Sequence, residues 1–199
     1  MEEDVGRRAQ IVRAAFEEFA AHGFAGATIK GIARAARLQS QALIYWYFPT
    51  KEALFQAVIE AHIPFLRDLA AASPLLDRPP EEVLPLLARG YLATAHLPVA
   101  QGLLRILIPE VLRRPELAAL IGSLLRDRVL GFLSGYIDRQ VALGRFRPHD
   151  TRSSARAFFG MLIPQAAGVV ALPTLLVDGP TDDQHVATAV EIFLRGVRA

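Results

Sequence analysis

Cysteine is absent from the 199 residues, which removes disulfides and thiolate metal sites and fits a reducing cytoplasm. An excess of one charge sign is also lacking. Against 20 Asp and Glu stand 22 Lys and Arg, and a formal net charge of +2 does not by itself argue for nucleic acid. The five histidines (His22, His62, His96, His149 and His185) fall at no metal-ligand spacing. No Gly-x-Ser-x-Gly elbow, His-Glu-x-x-His helix or phosphate-cradling glycine loop occurs, so neither catalysis nor a metal or cofactor is expected. Sustained period-two alternation and Asn-Gly hairpin signals are missing too, which leaves an all-α chain. The opening Glu2-Glu3-Asp4 is not the basic-then-apolar start of a secretory leader, and a cytoplasmic location is expected.

What is present is globular: 52% of residues are hydrophobic and 21% charged. One stretch, 158–177, is apolar apart from Gln165 and Thr174 and is about as long as a membrane span. Arg152 and Arg156 precede it; Asp178, Asp182 and Asp183 follow. Pro164 and Pro173 interrupt it, and it is read as a helix buried by its neighbours or by a second subunit, with no membrane partner.

The helical pattern is readable from its punctuation. Ile11, Val12, Ala15, Phe16 and Phe19 recur at helical spacing in a first helix from Val5 to His22, stopped by Gly23. Thr28 caps a second through Ala36, a third spans Ser40 to Tyr47, and Thr50 caps a fourth that Pro64 interrupts. After a proline-bearing break at 73–80, helices are expected near 81–97, 99–112, 116–144, 150–172 and 182–198. The last opens with the capping box Thr181-Asp182-Asp183-Gln184. The functional division expected is a head over 1–50, a connecting helix over 51–72 and a helical body over 73–199.

Two short helices joined by a tight turn behind a longer one form the pattern of a helix-turn-helix, whose second helix enters the major groove. Ser40, Gln41 and Ala42 give that helix a small, polar leading end, and Leu43, Ile44 and Phe48 give it an apolar back. Tyr45, Trp46 and Tyr47 cannot all be buried together, and suit contacts to phosphates or bases. From Arg7 to Lys51 the basic residues are Arg7, Arg8, Arg13, Lys30, Arg34, Arg37 and Lys51, against only Glu17 and Glu18. Thr28 and Thr50-Lys51 stand at helix starts, which suit an anion and equally suit simple capping.

Ile11-Val12-Arg13-Ala14-Ala15-Phe16-Glu17-Glu18-Phe19, Gly23-Phe24, Ala27-Thr28-Ile29 and Ala42-Leu43-Ile44-Tyr45-Trp46-Tyr47-Phe48-Pro49-Thr50-Lys51-Glu52-Ala53-Leu54-Phe55 together resemble the N-terminal signature of TetR/AcrR-type repressors. The resemblance implies a three-helix DNA-binding head followed by an effector-binding and dimerisation domain. It implies phosphate contacts from Thr28, Tyr45 or Tyr47, and Lys51, and base reading by Ser40, Gln41, Ala42 and Trp46. Arg37 departs from the pattern, standing where the family usually has glycine, and Leu38-Gln39-Ser40 makes the turn one residue longer than usual.

The body carries no motif of its own. Phe65, Tyr91, His96, Gln101, Phe132, Tyr136, Phe158, Met161 and Gln165 are its candidate pocket residues, aromatic or polar side chains in apolar helices. Scarcity of charge there points to a small, largely apolar effector. The helices near 150–172 and 182–198 are expected to pair with the same helices of a second copy, as the resemblance implies. The function expected is a ligand-responsive repressor, dimeric on palindromic double-stranded DNA and released by its effector. The competing reading is a helical ligand-binding or scaffolding protein that has lost DNA binding.

Overall fold

A computed structural model of the chain describes residues 2–199, with side chains from Asp4 onward. Its regular elements are helical, and the described residues form no strand beyond a single backbone bridge between Phe146 and Arg198. The chain divides into two compact units. One comprises the chain through Ile63 with Gly102–Gly122; the other comprises Pro64–Gln101 with Ser123–Ala199. This packing boundary lies one short helix before the proline-bearing stretch 73–80.

In the first unit, α1 (Glu2–Gly26) is broken at Gly23, whose φ of 69° and ψ of 173° are open only to glycine. Helices α2 (Ile29–Ala35), α3 (Ala42–Tyr47) and α4 (Lys51–His62) follow. Ile11, Ala15 and Phe19 of α1, Ile32 of α2, Ile44 of α3, and Leu54, Phe55 and Val58 of α4 are fully buried, and α1 packs against α2 and α4. The rings of Phe19, Phe24 and Phe55 meet at 4.9–5.6 Å. Burying each contributes about 2–3 kcal/mol. Both threonines cap as the sequence predicts: Thr28 Oγ1 accepts from the Gly31 N–H at 2.9 Å, and Thr50 Oγ1 from the Ala53 N–H at 3.0 Å. The third helix starts at Ala42, two residues later than the spacing predicts, because the Ser40 hydroxyl accepts the Ala42 N–H from outside the helix.

Between α2 and α3 the backbone turns through Arg37 at a φ of 50°. The Leu38 N–H returns to the Ala33 carbonyl at 2.9 Å, closing a Schellman-type stop. A left-handed non-glycine residue costs roughly 1 kcal/mol. Arg37→Gly should therefore raise the melting temperature by about 2–4 °C. An unchanged or lower value in a thermal melt would mean that the arginine side chain contributes more than its backbone costs.

In the second unit α10 (Thr151–Val170) lies against α6 (Pro80–His96), α9 (Gly131–Ala142) and α11 (Asp182–Val197). The core they share includes Leu84 and Leu92 of α6, Tyr136 and Ile137 of α9, Phe158 and Leu162 of α10, and Val186, Val190 and Phe193 of α11. Thr181 and Gln184 form the capping box the sequence announces. The short helix α5 (Pro64–Ala70) opens this unit, while α7 (Pro98–Arg113) and α8 (Pro115–Leu124) run through the segment that joins the first.

The single helix expected over 116–144 is instead two, α8 and α9, separated by a π-helical turn at Leu125–Leu130. Its closing bond runs from the Gly131 N–H to the Arg126 carbonyl, five residues back. The apolar run 158–177 also divides. It leaves helix after Val170 and enters a 3-10 turn, Pro173–Leu176, whose Leu176 side chain fills the space a Cβ on Gly168 would need. Among the described residues no single helix is long and apolar enough to cross a membrane, and only the sharply bent pair α6 and α7 reaches that length taken together.

Candidate nucleic-acid interface and body cavity

Helix α3 is six residues long and amphipathic across its width. Ile44 is fully buried and Phe48, just beyond its end, nearly so. The opposite edge is open: Ser40, Gln41 and Ala42 are exposed, Tyr45 is 48% and Trp46 69% exposed. An indole that open on a helix fastened from behind has no packing role to explain it. Tyr45 makes no hydrogen bond to the described residues, whereas the Tyr47 hydroxyl donates to Asp4 on the first turns of α1. That bond holds the phenol well protonated, raising its pKa above the ordinary tyrosine value. Trp46 and Tyr47 meet edge to face at 4.6 Å.

The flanking helix starts are occupied in different ways. Thr28 is exposed, but its N–H faces the Glu18 carboxylate at 3.5 Å, so an internal anion already sits at that helix start. Its hydroxyl proton stays free to donate, because Oγ1 is engaged only as an acceptor. Lys51 lies with Nζ 4.7 Å above the Phe24 ring and 3.4 Å from the Ala25 carbonyl. Partial burial there lowers its pKa from the ordinary lysine value. The eight DNA candidates thus lie on α3, on the two residues that lead into it and at the starts of α2 and α4, all within one compact unit. Sequence reasoning counted Arg8 and Glu18 only as charges and gave Asp4 no place at this edge; the Arg8 guanidinium stands 5.0 Å over the Phe48 ring. Only three-dimensional packing places those residues.

In the second unit an apolar cavity is lined by four of the nine pocket candidates: Phe65, Tyr91, Phe132 and Phe158. Leu69, Val129, Phe159 and other apolar side chains, missed in the sequence, complete it. Its free volume is about 20 Å³, room for about one water molecule. The Tyr91 ring packs on Phe65 at 5.8 Å and on Phe159 at 4.9 Å. Tyr91 carries the one polar side chain on the described lining, and burial raises its pKa, keeping it a donor.

The other five candidates lie elsewhere. Tyr136 is buried beside the 76–78 loop, its hydroxyl donating to the Arg78 carbonyl at 2.9 Å. His96 is exposed and paired with Asp182 at 2.8 Å, and the buried Gln165 donates to the same carboxylate at 2.8 Å. Gln101 donates to the Ala95 carbonyl, and Met161 packs at the margin of the core. No group of three or more His, Cys, Asp or Glu among the described residues is arranged to hold a metal ion.

Comparison with known proteins gives two successive matches along the chain. Residues 11–58 match the model of the bacterial regulatory proteins of the tetR family, and residues 82–196 match the C-terminal domain of AefR-like transcriptional repressors. The HTH-type transcriptional repressor SCO4008 of Streptomyces coelicolor (strain ATCC BAA-471 / A3(2) / M145) is 46% identical over 68 residues, 34% of this chain. That match spans about a third (33%) of the relative's length. A TetR-family transcriptional regulator from Mesorhizobium loti MAFF303099 superposes with a TM-score of 0.74 at 23% identity, covering 98% of both chains. The flavonoid-responsive regulator FrrA superposes with a TM-score of 0.71 at 26% identity, covering 96% of this chain and 97% of its own.

Proposed function

The chain belongs to the TetR family of bacterial regulatory proteins, which are DNA-binding transcription regulators and not enzymes, and on that premise we propose that it is an effector-released repressor working as a dimer. The observation that carries the reading is the open Tyr45–Trp46 edge of a helix whose back is locked into the head by Ile44 and Phe48. In this reading α3 enters the major groove. Ser40, Gln41, Ala42 and Trp46 meet base edges, while Thr28, Tyr45, Tyr47 and Lys51 meet phosphates. The outward sides of α10 and α11 pair with those of a second copy, setting two heads about one helical turn of DNA apart. The functional division is the head 1–50, the connecting helix 51–72 and the body 73–199.

The effector is small and largely apolar, and it enters among Phe65, Tyr91, Phe132 and Phe158 with the Tyr91 hydroxyl as its polar handle. FrrA, named for its response to flavonoids, supports an aromatic ligand class. Effector binding favours a body conformation whose heads no longer match the operator, and by linkage DNA weakens the effector to the same degree. The test is a mobility shift on a duplex selected by the protein from a random pool, read with and without planar aromatic ligands that raise its melting temperature. Release of the duplex by such a ligand is expected, and Tyr91→Phe should weaken the ligand about three- to tenfold. Release by small, highly polar molecules alone would overturn the effector assignment, and no selected duplex from a folded dimer would overturn the whole reading.

A further inference from the structure

The first turns of α1 lie against the end of α3, and residues 4–8 precede the stretch that matches the family head. Asp4 accepts the Tyr47 hydroxyl, and Arg8, one turn on, stands over Phe48. Arg7 is the other charged group that acts on the Tyr47 phenol. A phosphate approaching this edge therefore meets two arginines and one carboxylate. We infer that Asp4 is a built-in competitor for DNA: it occupies the Tyr47 hydroxyl in the free protein and must be displaced before that hydroxyl can bind a phosphate.

Two physical facts force the exchange. A tyrosine hydroxyl has one proton to donate, so it serves Asp4 or a phosphate oxygen, not both. A carboxylate left beside a phosphate also repels it, though water at this exposed edge keeps that repulsion weak. The contact reaches the reading edge as well, since Tyr47 packs edge to face on Trp46. Releasing Asp4 frees the phenol and with it the neighbouring indole. Asp4 thus sets the threshold of DNA binding through Tyr47, as a positioning residue that touches no nucleic acid itself. This inference rests on the DNA-binding reading above, and the experiment separates the two.

Affinity for a random-sequence duplex pool is measured over a series of salt concentrations for the full chain and for Asp4→Ala, Asp4→Asn, Tyr47→Phe, Asp4→Ala/Tyr47→Phe and Lys51→Ala. Asp4→Ala should bind about three- to tenfold tighter at low salt, with a salt slope steeper by somewhat under one unit. Asp4→Asn, which keeps a neutral acceptor, should fall between it and the parent. Tyr47→Phe should bind about two- to threefold more weakly than the parent, because its phosphate contact is lost, and should cancel most of the gain in the Asp4→Ala background. The single tryptophan, Trp46, gives a second readout: its emission should shift in Asp4→Ala without DNA. A simple structural clamp predicts the opposite sign, weaker binding on loss of Asp4. Equal or weaker binding by Asp4→Ala, with Lys51→Ala weakened as expected, overturns the inference and leaves the DNA reading standing. No binding by any variant, parent included, overturns both.

Discussion

Replacing Tyr45 and Lys51 together by alanine should lower affinity for the selected duplex about a hundredfold at moderate salt, each contact contributing roughly tenfold. The two losses should differ in kind. Lysine is a point charge, so its removal should flatten the salt slope by about one unit, whereas the tyrosine hydroxyl is neutral and should leave the slope nearly unchanged. Stability should barely move for Tyr45, which is half exposed. Lys51 also covers the Phe24 ring, so its loss should cost a few degrees of melting temperature at most. A double variant that melts normally and still holds DNA within threefold of the parent would remove α3 and the start of α4 from the interface.

The second large effect lies in the body. Phe158 is 1% exposed, packs on Phe193 at 5.0 Å and forms part of the cavity wall. Phe158→Ala should cost about 3–5 kcal/mol, lowering the melting temperature by roughly 6–20 °C. The vacated space is walled by apolar side chains, so a small aromatic molecule should recover part of the loss. Thermal melts with and without such a compound measure both quantities. A loss under about 1 kcal/mol would mean the ring is not packed as described.

Much of the architecture was legible because helices announce their ends chemically. Thr28, Thr50 and Thr181 cap as a short hydroxyl before an apolar period must, and Gly23 and Pro64 break helices for backbone reasons, although Pro85, Pro109 and Pro164 are carried inside helices. The π-helical turn was not legible. It inserts a single residue into the register near Arg126, and an apolar period averaged over several turns hardly feels one residue. The open edge of α3 was legible in Tyr45-Trp46-Tyr47, since three consecutive large aromatics cannot share one buried face. That Tyr47 differs from its neighbours was not, because its partner Asp4 lies 43 residues away.

The cavity was half visible for a similar reason. Aromatic residues in apolar helices are an honest sign of an interior, and Phe65, Tyr91, Phe132 and Phe158 converge there. Polar residues in the same helices are ambiguous between a ligand and a partner in the chain. His96 and Gln165 found their partner in Asp182, 86 and 17 residues distant, and Tyr136 found the Arg78 carbonyl. Nothing in a local pattern separates those outcomes.

A chamber with room for a single water has consequences for timing as well as affinity. If that cavity takes a guest larger than one water, its lining rings, Tyr91 and Phe159 among them, must first move apart, and capture is then limited by how often they do so. Observed association should then level off as guest concentration rises, at the frequency of opening. Measured affinity will be discounted by the small fraction of molecules standing ajar at any moment, and substitutions that prop those rings apart should tighten binding without adding a contact.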